Sequence, residues 1–327
     1  MLKDLLTIPR LIGLSTVVPK YVLKQNDVVE AARRLFRARG EEFDRLLPVY
    51  NNTGIEKRYS CVPIDWYNQT HGWAERNAVY AEHALDLACE ASTQCLADAN
   101  VKPAEIDGIV MVSTTGIATP SLDAQILERL PFRRDVQRLP IFGLGCAGGV
   151  LGLGRTAAMA RLPERQTWLL IVVELCGITF RKSDISNSNI VASALFGDGA
   201  AAAVISCEGD GLLIPSWGEH TWPKSLDVMG WQIEDDGLGV LFSRNIPSLV
   251  RKHLREVTEV YLASKGRLIE DINHYVFHPG GARVIEELMD AFPLAEPDLV
   301  AARTVLRDYG NMSAASVFFV LKQILET

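Results

Sequence analysis

A glycine-rich segment around Cys146 constrains the fold of this chain more than any other feature of its sequence. The segment reads LPIFGLGCAGGVLGLG and runs from Leu139 to Gly154. The apolar residues up to Phe142 predict a strand, the glycines predict a tight turn, and residues 147–161 predict a helix. A strand that passes directly into a helix is the repeating unit of α/β proteins, so this segment predicts an α/β fold.

Cys146 stands where the predicted helix begins, which is a favourable place for a reactive thiol. The first turn of a helix carries unpaired N–H groups and a partial positive charge. Both favour the thiolate, which is the nucleophilic form of cysteine. The segment therefore predicts a nucleophilic sulfur.

The same residues also match a cofactor-binding pattern. Residues 143–148 read GLGCAG, which is the G-x-G-x-x-G fingerprint of dinucleotide-binding folds. Glu174 ends the next apolar run, where such a fold places the acid that binds ribose. The segment alone leaves thiol chemistry and NAD binding open.

Composition excludes several classes of protein. The chain has 327 residues, 48% of them hydrophobic and 22% charged, as in an ordinary globular protein. Its net charge of -7 argues against non-specific nucleic-acid binding. The longest apolar runs are about six residues, against roughly 20 for a membrane span, and the first residues lack a signal-peptide pattern. The six cysteines do not have the spacing typical of metal sites. Together these features predict a cytoplasmic protein with no metal site.

Alternating strand and helix patterns predict a layered protein built from two similar halves. The first half contains the predicted helix 74–99 and the predicted strands 106–113, 168–175 and 200–206. The second half repeats this order with strands within 211–243 and at 275–277, and with helices at 247–265, 281–292 and 313–325. The glycine-rich turn at 208–211 marks the boundary, which gives halves 1–208 and 209–327 with buried mixed or parallel sheets.

Two further side chains stand at strand-to-helix turns of the second half. His278 lies in the sequence FHPGG, and Asn311 lies in YGNMS just before the last predicted helix. Such turns meet at one edge of an α/β sheet, where these folds bind ligands. A reactive cysteine needs a base and groups that hold developing charge, which are roles that histidine and asparagine can fill. Asn311 also fits the role of an ordinary helix cap.

Four motifs carry a resemblance to a known family. They are GCAGG at 145–149, LFGDGAA at 195–201, HPGG at 278–281 and YGNMS at 309–313. In their order and spacing the chain resembles the type III polyketide synthases, the chalcone-synthase-like branch of the thiolase superfamily, from about residue 8 to its end. The ketoacyl-carrier-protein synthase III group, the alternative within that superfamily, usually has HQAN and GNTS at the last two sites, so the motifs favour the polyketide synthases.

The resemblance implies a thiolase-like layered αβαβα fold and a decarboxylative condensation. Cys146 would take a starter acyl group from coenzyme A as a thioester. His278 would pair with the thiolate and, together with Asn311, bind the thioester carbonyl of malonyl-CoA. Two neutral donors of this kind stabilise the enolate left by decarboxylation, which then attacks the Cys146 thioester. After several extensions the product cyclises, and no metal or redox cofactor is required.

The resemblance also implies supporting roles. Phe196 matches a gatekeeper between the coenzyme A tunnel and the reaction cavity, and Glu174 matches a buried acid. Lys57 and Arg58 match a basic lip that holds coenzyme A phosphates, although a solvated basic turn fits them nearly as well. The matched cavity-lining positions are Thr114, Thr119, Cys176 and Thr179. The loop at Thr119 reaches the partner's cavity in this family, which implies a homodimer.

The chain departs from the family at its end. The family normally continues past the asparagine helix into strands that form a cavity wall, whereas this chain stops 16 residues after Asn311, so we expect those strands to be missing. The sequence does not determine the starter, the number of extensions or the mode of cyclisation. The candidate products are an alkylpyrone or alkylresorcinol and, alternatively, a tetrahydroxynaphthalene-type product. An NAD-binding oxidoreductase and a catalytically inactive thiolase-fold scaffold are the remaining alternatives.

Overall fold

A mixed six-stranded sheet forms the centre of the computed structural model, which describes residues 8–162, 166–243 and 245–327. The strands are β1 Arg10–Val17, β2 Tyr21–Lys24, β3 Lys57–Ser60, β4 Gly108–Val112, β5 Gln137–Ile141, β6 Trp168–Leu175, β7 Asp198–Ser206, β8 Leu212–Leu213, β9 Met229–Glu234 and β10 Gly237–Phe242. The central sheet has the order β5-β4-β6-β7-β1-β8, while β2–β3 and β9–β10 form separate two-stranded sheets.

The pairing confirms a mixed sheet. Strand β4 runs parallel to both β5 and β6, whereas β7 is antiparallel to β6 and β1. Every residue of β6 and β7 is buried, which explains why both read as continuous apolar runs in the sequence. The carboxyl ends of the parallel strands β4 and β6 lie at the sheet edge that carries Thr114 and Glu174.

The helices cover both faces of this sheet. They are α1 Gln25–Leu35, α2 Glu41–Leu46, α3 Pro48–Asn51, α4 Trp73–Asp98, α5 Leu122–Gln125, α6 Gly148–Ala160, α7 Asn187–Leu195, α8 Ile246–Leu249, α9 Arg255–Ser264, α10 Ala282–Ala291, α11 Glu296–Tyr309 and α12 Ser316–Leu325. Helix α4 confirms the prediction for 74–99, and α6, α10 and α12 fall on predicted helices. None of the helices described here is long and apolar enough to cross a membrane.

Two apolar cores lie on opposite faces of the sheet, because successive strand side chains alternate between the faces. Leu169, Ile171 and Val173 pack in the core that α4 covers. Leu170 and Val172 belong to the other core, which contains side chains of α6, α11 and α12. The second core places the beginning of α6 next to the beginning of α12, and the two predicted motifs with Cys146 and Asn311 lie there.

The second half differs from its prediction at one strand. Residues 272–281 form no regular element, so the predicted strand 275–277 is wrong. A strand needs a partner for its backbone hydrogen bonds, and no strand among the described residues pairs with this segment. Its aromatic rings pack against Phe292 instead, with centroid distances of 6.0 Å to Tyr275 and 5.4 Å to Phe277. The segment nevertheless brings His278 to the site as an extended connection into α10.

Candidate active site

The turn that carries Cys146 has the predicted strand–turn–helix form. Strand β5 ends at Ile141, and Cys146 lies in the short 3₁₀ turn Gly145–Ala147 directly before α6. Gly143 and Gly145 have φ angles of +89° and +54°, which place the backbone in the left-handed region that favours glycine. The glycines before Cys146 are therefore required by the path of the backbone.

The glycines after Cys146 serve close packing. A Cβ atom on Gly149 would lie 2.3 Å from the carbonyl oxygen of Ala314, and one on Gly148 would lie 2.8 Å from Cγ1 of Val112. Larger residues would thus push the beginning of α6 away from the sheet and from the segment that precedes α12. This packing explains the G-x-G-x-x-G pattern without a dinucleotide.

Asn311 connects three of the four motifs. Its side-chain Nδ2 donates a hydrogen bond to the carbonyl oxygen of Gly280 at 3.0 Å, in the HPGG turn. Its backbone N–H donates to the carbonyl of Leu195 at 2.8 Å, and its own carbonyl accepts from the N–H of Gly197 at 3.0 Å. The residue is fully buried. Asn311 therefore fixes the histidine turn against the turn that carries Phe196.

Ser313 completes the connection to the cysteine. Its Oγ donates to Sγ of Cys146 at 3.5 Å, and its N–H donates to Oδ1 of Asn311 at 2.8 Å. The second bond shows that the capping interpretation of Asn311 is also correct, because the amide oxygen caps the turn that leads into α12. Ser313 has a φ of +48°, which is uncommon for a residue other than glycine and often marks a functional site. The sequence analysis missed Ser313, although it lies within the YGNMS motif.

His278 has no protein partner for its ring. Both ring nitrogens are buried, and neither has a hydrogen bond to any described residue. Burial lowers the pKa of His278 to about 4. The imidazole is therefore neutral near pH 7, with one nitrogen able to donate a hydrogen bond and the other able to accept a proton. A buried polar group without a partner costs about 1–3 kcal/mol, and a ligand that bonded this ring would relieve that cost.

Burial also governs the Cys146 thiol. Although the residue keeps some accessible surface, its depth in the molecule raises the pKa of Cys146 to about 11, and the nearby Glu174 charge acts in the same direction. The hydrogen bond from Ser313 opposes this shift. Burial is the largest influence on this thiol, so the predicted thiolate is not favoured in the structure. Cys146 and His278 are both uncharged near neutral pH.

Glu174 is a buried acid, as the resemblance implies, and its carboxylate is fully occupied. One oxygen accepts from the hydroxyl of Thr114 at 2.9 Å, and the other accepts from the Thr114 N–H at 3.1 Å and the Thr115 hydroxyl at 3.0 Å. Burial raises the pKa of Glu174 to about 7. With both oxygens taken and no exposed surface, Glu174 is not placed to bind a ribose.

The raised pKa of Glu174 predicts a pH-dependent effect of Glu174→Gln. The folded protein holds this proton more tightly than the unfolded chain, so wild-type stability falls as pH rises from about 4.5 to about 7. This loss amounts to about 3 kcal/mol for a shift of this size. Glutamine avoids it, because its NH₂ group can donate to the Thr114 hydroxyl. Thermal unfolding should show Glu174→Gln gaining stability over wild type between pH 5 and 8, and an equal pH profile for both proteins would contradict this assignment.

One apolar cavity brings together three predicted lining residues. Phe196, Cys176 and Thr179 line a cavity of about 60 Å³. Its remaining lining residues are Leu23, Val28, Ala31, Ala32, Leu35, Phe36, Arg58, Ile64, Tyr67, Gly177, Phe180, Ala192 and Ser193. The contribution of α1 to this wall was not anticipated from the sequence.

Two other predicted lining residues lie elsewhere. Thr114 is buried against Glu174, and Thr119 is exposed on this chain, next to a cis peptide bond with Pro120. Neither lines the cavity that holds Phe196. Thr119 lies at the surface of this chain, so only the predicted contact with a second chain would bring it to a cavity.

Phe196 lies in an aromatic cluster beside Asn311. Its ring is 6.1 Å from that of Trp231 and 6.4 Å from that of Phe242, centroid to centroid. These two residues belong to the β9–β10 hairpin, which therefore covers the predicted gatekeeper. The sequence analysis missed both, because only the tertiary fold brings the hairpin to the end of α7.

The predicted basic lip needs one correction. Arg58 is only 3% exposed, and its guanidinium donates to the carbonyls of Ser193 at 2.7 Å, Ala194 at 2.9 Å and Phe196 at 3.1 Å. The alternation along β3 turns Arg58 inward, while Lys57 keeps part of its surface accessible. Arg58 therefore does not lie on an exposed lip, and coenzyme A binding by Lys57 stays a prediction.

Comparison with known proteins agrees with this arrangement. The family models of the chalcone and stilbene synthases match residues 8–209 with their N-terminal domain and residues 217–327 with their C-terminal domain. This chain belongs to the chalcone and stilbene synthase family. Its fold is thiolase-like, and it is an enzyme of the type III polyketide synthase class. The resemblance inferred from the four motifs is confirmed.

Individual relatives cover nearly the whole chain. A putative chalcone synthase of Bacillus subtilis (strain 168) is 34% identical over 97% of this chain and 90% of its own length. A 1,3,6,8-tetrahydroxynaphthalene synthase of Streptomyces peucetius subsp. caesius is 36% identical over 94% of this chain and 83% of its own length. The solved 1,3,6,8-tetrahydroxynaphthalene synthase of Streptomyces coelicolor A3(2), a bacterial type III polyketide synthase, aligns with a TM-score of 0.92 at 26% identity, over 97% of this chain and 91% of that one.

Proposed function

We propose that this chain extends an acyl group on Cys146 with malonyl-CoA units and releases a cyclised polyketide. The observation that supports this function best is the hydrogen-bonded path from Gly280 through Asn311 and Ser313 to Cys146. It joins a nucleophile to the turn that carries His278. Family membership supports the same reaction class.

The first step is transfer of the starter from coenzyme A. The neutral His278 imidazole accepts the Cys146 proton when the acyl thioester binds, and the thiolate attacks the thioester carbon. The new thioester forms as the bond to coenzyme A breaks, and the proton passes to the departing coenzyme A sulfur. The raised pKa of Cys146 and the lowered pKa of His278 keep both groups neutral until that moment.

The second step is decarboxylation of malonyl-CoA and condensation. Asn311 Nδ2 has two hydrogens, and Gly280 takes only one of them, so the second can bind the thioester oxygen together with a His278 N–H. Carbon dioxide leaves, the two donors stabilise the enolate oxygen, and the enolate carbon attacks the acyl group on Cys146. The Cys146 sulfur leaves, and the product is a coenzyme A thioester extended by a two-carbon unit. No step requires a metal or redox cofactor.

We further propose that the starter carries a mainly aliphatic chain. The cavity beside Phe196 is lined chiefly by aliphatic and aromatic side chains from α1 and α7, so it favours an alkyl chain over a carbonyl-rich one. A relative named for alpha-pyrone synthesis, from Mycobacterium tuberculosis, is 27% identical over 96% of this chain. The relatives named for tetrahydroxynaphthalene synthesis make a malonyl-only product the second candidate.

Filling the cavity tests the starter assignment. Ala32→Phe adds a ring to the cavity wall, so we expect the preferred acyl-CoA to shorten by several carbons, with at least tenfold lower kcat/KM for the longest wild-type starter. Ala263→Phe is a matched control, because Ala263 is exposed on α9. Mass spectrometry of products from a series of acyl-CoA starters measures the change. If wild type converts malonyl-CoA alone and no added starter changes that turnover, the result supports the malonyl-only product instead.

The chain is also proposed to act as a homodimer. Strand β5 is an edge strand of the central sheet, and the exposed apolar residue Phe142 follows it directly, while Ile117 is exposed in the loop that carries Thr119. Exposed apolar side chains of this kind favour contact with a second chain. Sedimentation velocity should give twice the 36.1 kDa chain mass, and a single-chain value would reject this assembly. A cytoplasmic location stays part of the proposal.

A further inference from the structure

The Ser313 hydroxyl is directed at the sulfur of Cys146. Its oxygen donates to Sγ over 3.5 Å, and within the described part of the chain this hydroxyl has no second hydrogen-bond partner. Ser313 is only 6% exposed, so bulk water does not compete for the bond. Among the described residues, no other side chain donates a hydrogen bond to this sulfur.

The backbone at Ser313 favours glycine, yet the position carries a side chain. Its φ of +48° lies in the left-handed region, which a residue other than glycine adopts at a cost in free energy. The turn itself uses the backbone N–H of Ser313, which donates to Oδ1 of Asn311 at 2.8 Å. Glycine would supply that N–H equally well. The serine side chain therefore adds one interaction to the turn, the hydrogen bond to Cys146.

The proposed reaction places negative charge on this sulfur twice. Cys146 gives its proton to His278 when the starter is loaded, and the same sulfur leaves the acyl group as a thiolate during condensation. Burial opposes both events, because it raises the pKa of Cys146 to about 11 and lowers the pKa of His278 to about 4. The thiolate therefore needs neighbouring groups that stabilise its charge.

Two titratable groups interact electrostatically with Cys146, and neither stabilises the thiolate. The charge of Glu174 raises the pKa of Cys146, and burial holds the pKa of Cys176 well above its ordinary value, so that thiol stays neutral. The Ser313 hydroxyl and the backbone N–H of Cys146 act in the opposite direction. Hydrogen bonds to a charged acceptor are stronger than those to a neutral one, so the Ser313 bond gains strength as the charge forms.

We propose that Ser313 is a catalytic residue whose hydroxyl donates a hydrogen bond to the Cys146 thiolate, both when the starter is loaded and when the sulfur leaves the acyl group. Ser313 keeps its own hydrogen throughout, since the cysteine proton passes to His278. This inference rests on the proposed function, because both steps belong to that reaction. It gives Ser313 and Asn311 different roles: Ser313 acts on the sulfur, and Asn311 acts on the malonyl thioester oxygen.

Ser313→Gly removes the hydroxyl while it keeps the N–H that Asn311 accepts and suits the positive φ. The melting temperature should therefore change little. Alkylation of Cys146 by iodoacetamide is mapped by mass spectrometry between pH 8 and 10, where Glu174 is already ionised. We expect the variant to react about threefold to tenfold more slowly than wild type at each pH, because a smaller fraction of the sulfur is thiolate.

The direction of this change separates catalysis from packing. If Ser313 only filled space, its removal would make Cys146 more accessible and alkylation faster. The half-buried Cys89 on α4 is the internal reference, and its alkylation rate should be the same in both proteins. Equal or faster alkylation of Cys146 in Ser313→Gly would overturn the inference.

Two rates then separate the sulfur from the enolate site. Transfer of an acyl group from acyl-CoA is measured with Cys146 present, and release of carbon dioxide from malonyl-CoA is measured in the Cys146→Gln background. Ser313→Gly should lower acyl transfer about tenfold more than it lowers decarboxylation. Equal loss of both rates would show that Ser313 acts through Asn311 and would contradict the inference. If alkylation slows as expected but wild type accepts no acyl group from any acyl-CoA, the proposed function fails while the Ser313–thiolate contact stands.

Discussion

Cys146→Ala is expected to abolish polyketide formation, with a fall of at least a thousandfold in the rate of product release. The alanine removes the sulfur that holds the growing chain, and no other group can take its place in the hydrogen-bonded path from Ser313. Product formation from acyl-CoA and malonyl-CoA, followed by mass spectrometry, measures the loss. Cys146→Gln should retain decarboxylation of malonyl-CoA, because His278 and Asn311 remain in place to stabilise the enolate.

Cys176→Ala is the matched control for this experiment. Cys176 is a buried thiol in the wall of the cavity beside Phe196, so its loss removes a similar volume but no proposed nucleophile. Cys176→Ala should keep most of the activity and change mainly the distribution of products. Product formation by Cys146→Ala, or its complete loss in Cys176→Ala alone, would reject the assignment of the nucleophile.

Asn311→Ala is expected to lower the rate of malonyl-CoA decarboxylation by about a hundredfold to a thousandfold. The variant removes one of the two donors to the enolate oxygen, an effect of the size seen for a lost oxyanion-hole donor. It also leaves the buried carbonyl of Gly280 and the N–H of Ser313 without their partner. Each such group costs about 1–3 kcal/mol, so the melting temperature should fall as well.

Ser316→Ala serves to separate the effect of Asn311→Ala on decarboxylation from its effect on stability. The Ser316 hydroxyl accepts a buried hydrogen bond from the N–H of Met312 at 2.8 Å, on the same segment but without a bond to Gly280 or Cys146. Its loss should reduce stability while decarboxylation changes little. Thermal unfolding and carbon dioxide release are measured on both variants. Equal loss of decarboxylation in the two would show that Asn311 acts only through folding.

The sequence predicted the parts of the fold that depend on local pattern. Helix α4 and the buried strand β6 were placed within a residue or two, because their apolar periodicity matches a single type of element. The prediction of a strand at 275–277 is wrong for a reason that the apolar periodicity of the sequence cannot show. Its aromatic residues are as apolar as those of a strand, but in this structure they pack against α10 without a neighbouring strand.

The candidate site was predictable where motifs carried it. Cys146, His278 and Asn311 each lie in a turn with its own sequence signature. The structure joins Asn311 directly to the histidine turn and, through Ser313, to Cys146. Arg58 was misplaced because a basic residue in a short turn looks the same whether it faces solvent or the interior. Only the pairing of β3 with β2 determines that its side chain points toward the end of α7.

The wall of the cavity was hardest to predict. Residues of α1 line the cavity together with Phe196, and residues of the β9–β10 hairpin pack on the Phe196 ring, so no local pattern joins these segments. Under the proposed function, the chemistry of this wall selects the starter. Sequence analysis thus identified the reaction class, while the tertiary structure was needed to propose the substrate.

The central claim is that Cys146 carries the acyl chain, and capture of the acyl-enzyme tests it most directly. Wild-type protein is incubated with an acyl-CoA in the absence of malonyl-CoA, digested, and mapped by mass spectrometry. We predict one acyl group on the peptide that contains Cys146 and none after Cys146→Ala. An acyl group on Cys176 or on another cysteine, or no acyl group in a protein that still forms polyketide, would contradict the mechanism.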